Sequence, residues 1–290
     1  MSDCYAWLAA LADRGTLPEV FRYAFFVRGL LAVILLAPLL GGMSHLVVAR
    51  RLSFFSAALG HAALTGLTLG LVMGEPLNGA YAGIFGFCAL SALAMVYVKR
   101  HAALPPDTLI GVFLSLTLGL GICLLVAATK RFNIHQIEAV MFGSLLTVTD
   151  IDLLLLAVVG GIVLLLLVAI YNGLLLDSLD PPLAQVSGVR STLLDYLFVL
   201  LLTAAIVVSL KVIGALLIEA MVVVPAAAAR NVARTTRAYL GTSVLVAVTA
   251  GVGGLFVSSR FLVPSGGAVV LAMSVLFFLT LAVAGIRSGR

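Results

Sequence analysis

Apolar runs of membrane-crossing length recur from one end of this 290-residue chain to the other, and no other feature narrows the possible folds so far. They fall near residues 24–48, 53–73, 79–98, 108–129, 150–172, 192–210, 212–229, 238–258 and 265–286. About 20 apolar residues cross a bilayer as a helix, because each backbone N–H and C=O in the hydrocarbon must be paired within its own segment. A membrane barrel would instead alternate apolar and polar residues along each strand, and these runs are continuous. Composition agrees: 63% of residues are hydrophobic and 10% charged, with a mean hydropathy of +1.24. A soluble domain is nearer half apolar and a quarter charged. The expected fold class is all-α, a polytopic transmembrane helical bundle of 8–9 spans. The count stays at eight or nine because the run at 212–229 is short and ends against Pro225, where a span would break or re-enter. Residues 1–23 read as an N-terminal segment and 24–290 as one transmembrane domain.

The net charge is +5. The basic residues sit in short clusters between apolar runs, which points to cytoplasmic loops and away from nucleic acid. If nine spans alternate, Arg50–Arg51, Lys99–Arg100, Arg190, Arg230, Arg234, Arg237, Arg287 and Arg290 share the cytoplasmic side. The other side carries Glu75, together with Lys130, Arg131, Lys211 and Arg260, so the bias is incomplete. The N-terminus is then outside and the C-terminus inside. The first residues do not read as a cleaved leader, since they lack a basic start and are interrupted by Asp13, Arg14, Pro18 and Glu19. The segment from His135 to Val148 is too short and polar to cross and reads as interfacial. Cys4, Cys88 and Cys123 show no CxxC spacing and read as small apolar residues.

Three features carry chemistry. In "SFFSAALGHAALTGLTLG", a helix places Ser53, Ala57, Gly60, His61, Leu64 and Thr68 on one small, partly polar face. A single imidazole there suits a pathway lining, and equally a tight helix contact around a hydrogen-bonded histidine. In "KVIGALLIEAMVVVPAAAARNVART", Glu219 lies mid-span. A charged carboxylate at that depth costs about 3 kcal/mol on insertion scales, so it needs a partner, a proton or water. It reads either as a cation ligand or proton relay, or as a hydrogen-bonded side chain, with Met221 beside it as packing. In "LDSLDPPLAQVSGVR", Pro181–Pro182 start a short helix near 178–188 that Gly188 ends, with Arg190 following. No GxxxxGK[ST], HExxH or GxSxG occurs, so no ATP-hydrolysing loop or catalytic nucleophile is nominated.

Taken together, "VVARRLSFFSAALGHAALTGLTLG", "VIGALLIEAMVVVPAAAARNVART", "MFGSLLTVTDIDL" and "LAQVSG" resemble, in order and spacing, the permeases of zinc- and manganese-type metal ABC importers. The resemblance runs from about Leu35 to the C-terminus and implies an architecture like that of the cobalamin and siderophore permeases. It implies a transport subunit without enzymatic activity of its own, in a bacterial-type plasma membrane. The implied partners are a cytoplasmic ATP-binding subunit, an extracytoplasmic metal-binding protein and a second permease, as homodimer or heterodimer. No permanently bound cofactor is implied; divalent zinc or manganese is the transported substrate. In such importers a short cytoplasmic helix with an Ala-x-x-x-Gly core couples to the ATPase. Ala184, Gln185 and Gly188 occupy that place here, with Arg190 after them.

One position departs from the family pattern. Its members usually carry an aspartate four residues before the helix histidine, and this chain has Ala57 there. The expectation is that Glu219 supplies the missing acid from another helix, so that His61 and Glu219 are the metal ligands. Imidazole with carboxylate suits zinc or manganese. The expected function is ATP-driven import of a divalent metal by alternating access. The alternatives are a permease for a chelated metal, siderophore-like or haem-like, and an intramembrane metal-dependent enzyme using the same two side chains.

Overall fold

The computed structural model describes residues 18–75, 81–102, 104–128, 148–261 and 263–288, and the regular structure within them is helical throughout. After a 3₁₀ turn at Glu19–Arg22 come α1 (Ala24–Ala49), α2 (Phe55–Val72), α3 (Tyr81–His101) and α4 (Pro106–Ala128). Then follow α5 (Asp150–Leu179), α6 (Pro181–Val186), α7 (Ser191–Val232), α8 (Thr236–Phe261) and α9 (Ser265–Ser288). The expected interfacial segment at 135–148 lies outside the described residues except for Val148.

α7 decides the span count. Its 42 residues would reach about 63 Å if straight, twice the thickness of a hydrocarbon core. Yet both its ends lie beside the C-terminal end of α1. Asp195, near its start, pairs with Arg50. Arg230, near its end, lines one cavity with Val48, Ala49 and Arg51. The chain therefore doubles back, and it does so at Gly214, where φ is 78° and ψ 164°. That conformation is open essentially to glycine alone. Two membrane-length helices result, Ser191–Leu210 and Val212–Val232, making nine among the described residues. The expected break at Pro225 is thus corrected: Pro225 sits inside a continuous helix, and the break comes eleven residues earlier. Neighbouring helices make an intramembrane proline tolerable.

α5 runs on to Leu179, beyond the expected end at 172. Its 30 residues span about 45 Å and carry Asp177 past the apolar zone, where Arg50 meets it. Its other end is fixed by a capping box, with Thr149 Oγ1 accepting from the Asp152 N–H and Asp152 accepting from the Thr149 N–H. Arg28–Asp150, Tyr81–Asp152 and Glu75–Gly83 contacts gather at that same end. Arg50, Arg51, Arg100, Arg230 and Arg234 gather at the opposite one. The basic end is the cytoplasmic one by the positive-inside rule.

The core sits around α2. Of its membrane-length window, 78% is buried, against 11% for α9. Leu59, Ala58, Ala62 and Leu67 of α2 pack with Leu36, Leu40 and Met43 of α1 and with Leu202, Ile213 and Leu217 of α7. α2 and α3 approach through glycines: a Cβ on Gly66 would stand 2.6 Å from the Gly83 carbonyl oxygen. Only hydrogen permits that approach, the small-residue logic of helix contacts in lipid. The outward faces of α5 and α9 carry Leu154, Leu165, Val168, Leu271 and Phe278, apolar and exposed as lipid contact requires. Cys88 is buried, with its thiol on the Leu59 carbonyl. Cys123 is exposed, so of the two described cysteines only Cys88 packs inside.

Candidate metal pathway and coupling surface

The small face of α2 divides in two. Gly60, Leu64 and Thr68 are buried against neighbours, whereas Ser53, Ala57 and His61 stay half-open. The threonine hydroxyls are satisfied close by: Thr68 Oγ1 donates to the Leu64 and Thr65 carbonyls, and Thr65 Oγ1 to the Thr117 carbonyl of α4 at 2.8 Å. Two polar atoms of this helix are not. Among the described residues, His61 Nδ1 and Ser56 Oγ are buried atoms with no hydrogen-bond partner. Buried polar atoms usually have one, and among the described residues these two share the lack of it with His45 Nδ1, Arg50 Nε and Ser191 Oγ.

Glu219 comes to the same region on the second arm of α7. The two helices meet at Gly60, where a Cβ would lie 3.2 Å from the Ala215 Cβ. α2 runs away from the basic end and this arm of α7 runs toward it. Four residues beyond Ala215 is Glu219; four residues back from Gly60 is Ser56, with Ala57 next to it. One helical turn is about 5.4 Å. Glu219 therefore lies at the depth of Ser56 and Ala57, one turn to the cytoplasmic side of Gly60 and His61. It is half-buried. Among the described residues it makes no hydrogen bond and no ion pair. Met221 is fully buried and packs against Gly251. The described residues hold no group of three or more His, Cys, Asp and Glu side chains. One chain thus offers an imidazole and a carboxylate on adjacent helices, with a methyl group at position 57.

The short cytoplasmic helix forms as its residues dictate. Asp180 caps it by accepting from the Leu183 N–H at 3.1 Å, Pro181 and Pro182 open it, and Gly188 leaves it at φ +75°. Ala184 is buried and anchors it, whereas Gln185, Gly188 and Arg190 are exposed. Leu179, Leu183 and Val186 are exposed too, Val186 to 87%. Leu183 and Val186 lie beyond the last residue of the α5 span, and exposed apolar side chains at that end are candidates for a protein contact.

Arg50 enters the sequence reading as a loop charge and within the stretch that carries the family resemblance, but not as a site residue, and the structure gives it a larger place. Its side chain is 6% exposed. Nη2 donates to Asp177 of α5 at 2.9 Å and to the Leu174 carbonyl at 3.2 Å. Nη1 donates to Asp195 of α7, and the guanidinium lies 5.6 Å from the Phe198 ring centroid. Arg100 of α3 reaches the other oxygen of Asp195 at 2.9 Å and the Thr192 hydroxyl at 2.8 Å. Asp177 and Asp195 lie 127 and 145 residues from Arg50 along the chain. No local pattern announces such pairs.

Comparison with known proteins agrees with this geometry. A profile of the ABC 3 transport family matches residues 22–284. The manganese import system permease protein ScaB of Streptococcus gordonii is 30% identical over 262 residues, covering 90% of this chain and 92% of its own. The high-affinity zinc uptake system membrane protein ZnuB of Haemophilus influenzae is 30% identical over 252 residues, 87% of this chain and 95% of its own. Among solved structures, PsaBC from Streptococcus pneumoniae in complex with Fab aligns with a TM-score of 0.77 at 29% identity, covering 89% of this chain and 91% of that one. An inward-facing putative metal-chelate type ABC transporter shares the fold, at a TM-score of 0.65 and 19% identity.

Proposed function

The chain belongs to the ABC 3 transport family, and from that premise we propose that it is the membrane permease of a divalent-metal importer carrying zinc or manganese. The observation that carries the site assignment is the juxtaposition across the Gly60–Ala215 contact. It sets an imidazole with an unpartnered nitrogen one turn from a carboxylate that lies at the depth of Ala57. His61 and Glu219 are then successive ligands along the path, and Glu219 takes the role of the acid that position 57 lacks. Two protein ligands hold an ion weakly enough to release it, as conduction requires. Water or a second permease supplies the remaining coordination.

The chain itself provides no ATP site and works by alternating access. A cytoplasmic ATP-binding subunit docks on the surface formed by Leu179, Leu183 and Val186. Its closure on ATP moves α6 through Ala184, Gln185, Gly188 and Arg190. An extracytoplasmic binding protein delivers the ion at the end carrying Glu75, Asp150 and Asp152. The test is metal accumulation in cells expressing this chain with an ATP-binding subunit and a binding protein, across zinc, manganese and iron. ATP-dependent uptake of one divalent ion supports the reading. Uptake of no free ion in any arm overturns it.

A further inference from the structure

We infer that Arg50 is a positioning residue that links α6 to the helix bearing His61, through its clamp on Asp177 and Asp195. The inference rests on the reading of α6 as the coupling helix. α6 is the stretch between α5 and α7, and the clamp closes on both sides of it. Asp177 stands four residues before Pro181, and Asp195 nine residues after Val186. One guanidinium holds both carboxylates and the Leu174 carbonyl. The end of α5 and the start of α7 are thereby tied into one body with α6 between them. Arg50 itself follows the last residue of α1, in the turn that leads into α2, and His61 lies eleven residues on. A displacement of α6 is thus transmitted to the α1–α2 turn through charge-assisted hydrogen bonds, which are the stronger and more directional kind. Arg100 adds the end of α3 to the same carboxylate.

The two arginines are paired with the two aspartates, and Lys99 lines the same cavity. The pairs are largely buried, with side-chain exposures of 6% for Arg50, 11% for Asp177 and 16% for Asp195. Buried ion pairs of this kind add little net stability over apolar packing but impose one geometry. The clamp fixes relative helix positions, and stripping it of one partner leaves a buried charge uncompensated, so hydrolysis has to be read beside uptake.

The test uses the assembled transporter, with its ATP-binding subunit and binding protein, reconstituted in proteoliposomes. ATP hydrolysed and manganese or zinc taken up are measured in the same vesicles. Arg50→Lys keeps the charge but loses the planar fork that spans two carboxylates. Asp177→Asn keeps the shape and removes one charge. Both are expected to keep hydrolysing ATP while ions carried per ATP fall about 2- to 30-fold, the range that coupling networks span. A purely structural role would lower hydrolysis and uptake together, and an unchanged ratio in Asp177→Asn overturns the inference even if Arg50→Lys fails to assemble. Gly188→Leu, measured alongside, separates the two readings. If it too leaves the ratio unchanged, the coupling role of α6 is what fails; if it alone lowers the ratio, only the Arg50 link fails.

Discussion

Gly60 of α2 and Ala215 of α7 meet with room for a hydrogen but barely for a methyl: a Cβ at Gly60 would lie 3.2 Å from the Ala215 Cβ. This contact sets the depth of Glu219 relative to His61. Gly60→Ala asks its neighbours to give by a few tenths of an ångström and is expected to cost less than about 1 kcal/mol. Gly60→Leu drives the helices apart and is expected to cost about 1–3 kcal/mol. It should also lose most metal uptake, because His61 and Glu219 separate. Thermal unfolding in detergent and uptake by the same variants check both. Wild-type uptake by a folded Gly60→Leu protein would show that the spacing of these helices does not matter to transport.

The turn at Gly214 makes a sharper claim about the fold. With φ 78° and ψ 164°, a side chain there is strained whatever space surrounds it. Gly214→Ala is expected to destabilise by about 1–3 kcal/mol, the cost of holding a non-glycine residue in that region. Pro225→Ala lies inside a helix and should leave stability nearly unchanged or raise it, since proline is a poor helix former. Paired melting temperatures decide the matter. The opposite ranking would move the break in α7 to Pro225.

Leu183 and Val186 present apolar surface at the cytoplasmic end. Changing Leu183 to Asp leaves the buried Ala184 anchor in place and should not unfold the bundle. If the side chain is central to the ATPase contact, its loss costs about 2 kcal/mol, or about 30-fold in affinity. Co-purification of the ATP-binding subunit with wild-type and variant permease reads this out. Equal recovery would place the docking surface elsewhere.

Much of the fold is legible in the sequence because lipid leaves the backbone few choices. Eight of the nine membrane-length helices start and end within a few residues of the apolar runs, and α5 overshoots only where Arg50 neutralises Asp177. That α7 crosses twice was legible, since the apolar runs part at residue 211, but the residue at which it turns was not. Nothing in "VIGALL" marks Gly214 among 28 glycines, and Pro225 draws attention because prolines usually break helices in water. Likewise, Gly66-x-x-x-Gly70 says little until the fold sets Gly83 against it. His61 and Glu219 were legible for a different reason: an ionisable group inside an apolar run is costly enough to stand out. That they share a region was expected from the resemblance, but the Gly60–Ala215 contact that sets their depths was not. Arg50 stayed hidden because its partners are remote in sequence and its type is what any cytoplasmic loop carries.

The exchange of acids between Glu219 and position 57 tests the account most directly. Glu219→Gln removes the carboxylate while keeping shape. Uptake should fall by about tenfold or more, at least what loss of an outer partner of a metal ligand costs. Ala57→Asp added to that variant places a carboxylate at the same depth on α2, one turn from His61. The account predicts that manganese or zinc uptake recovers in Ala57→Asp/Glu219→Gln and is lost again when His61→Ala is added. Wild-type uptake by Glu219→Gln alone, or no recovery in a folded double variant, would contradict it.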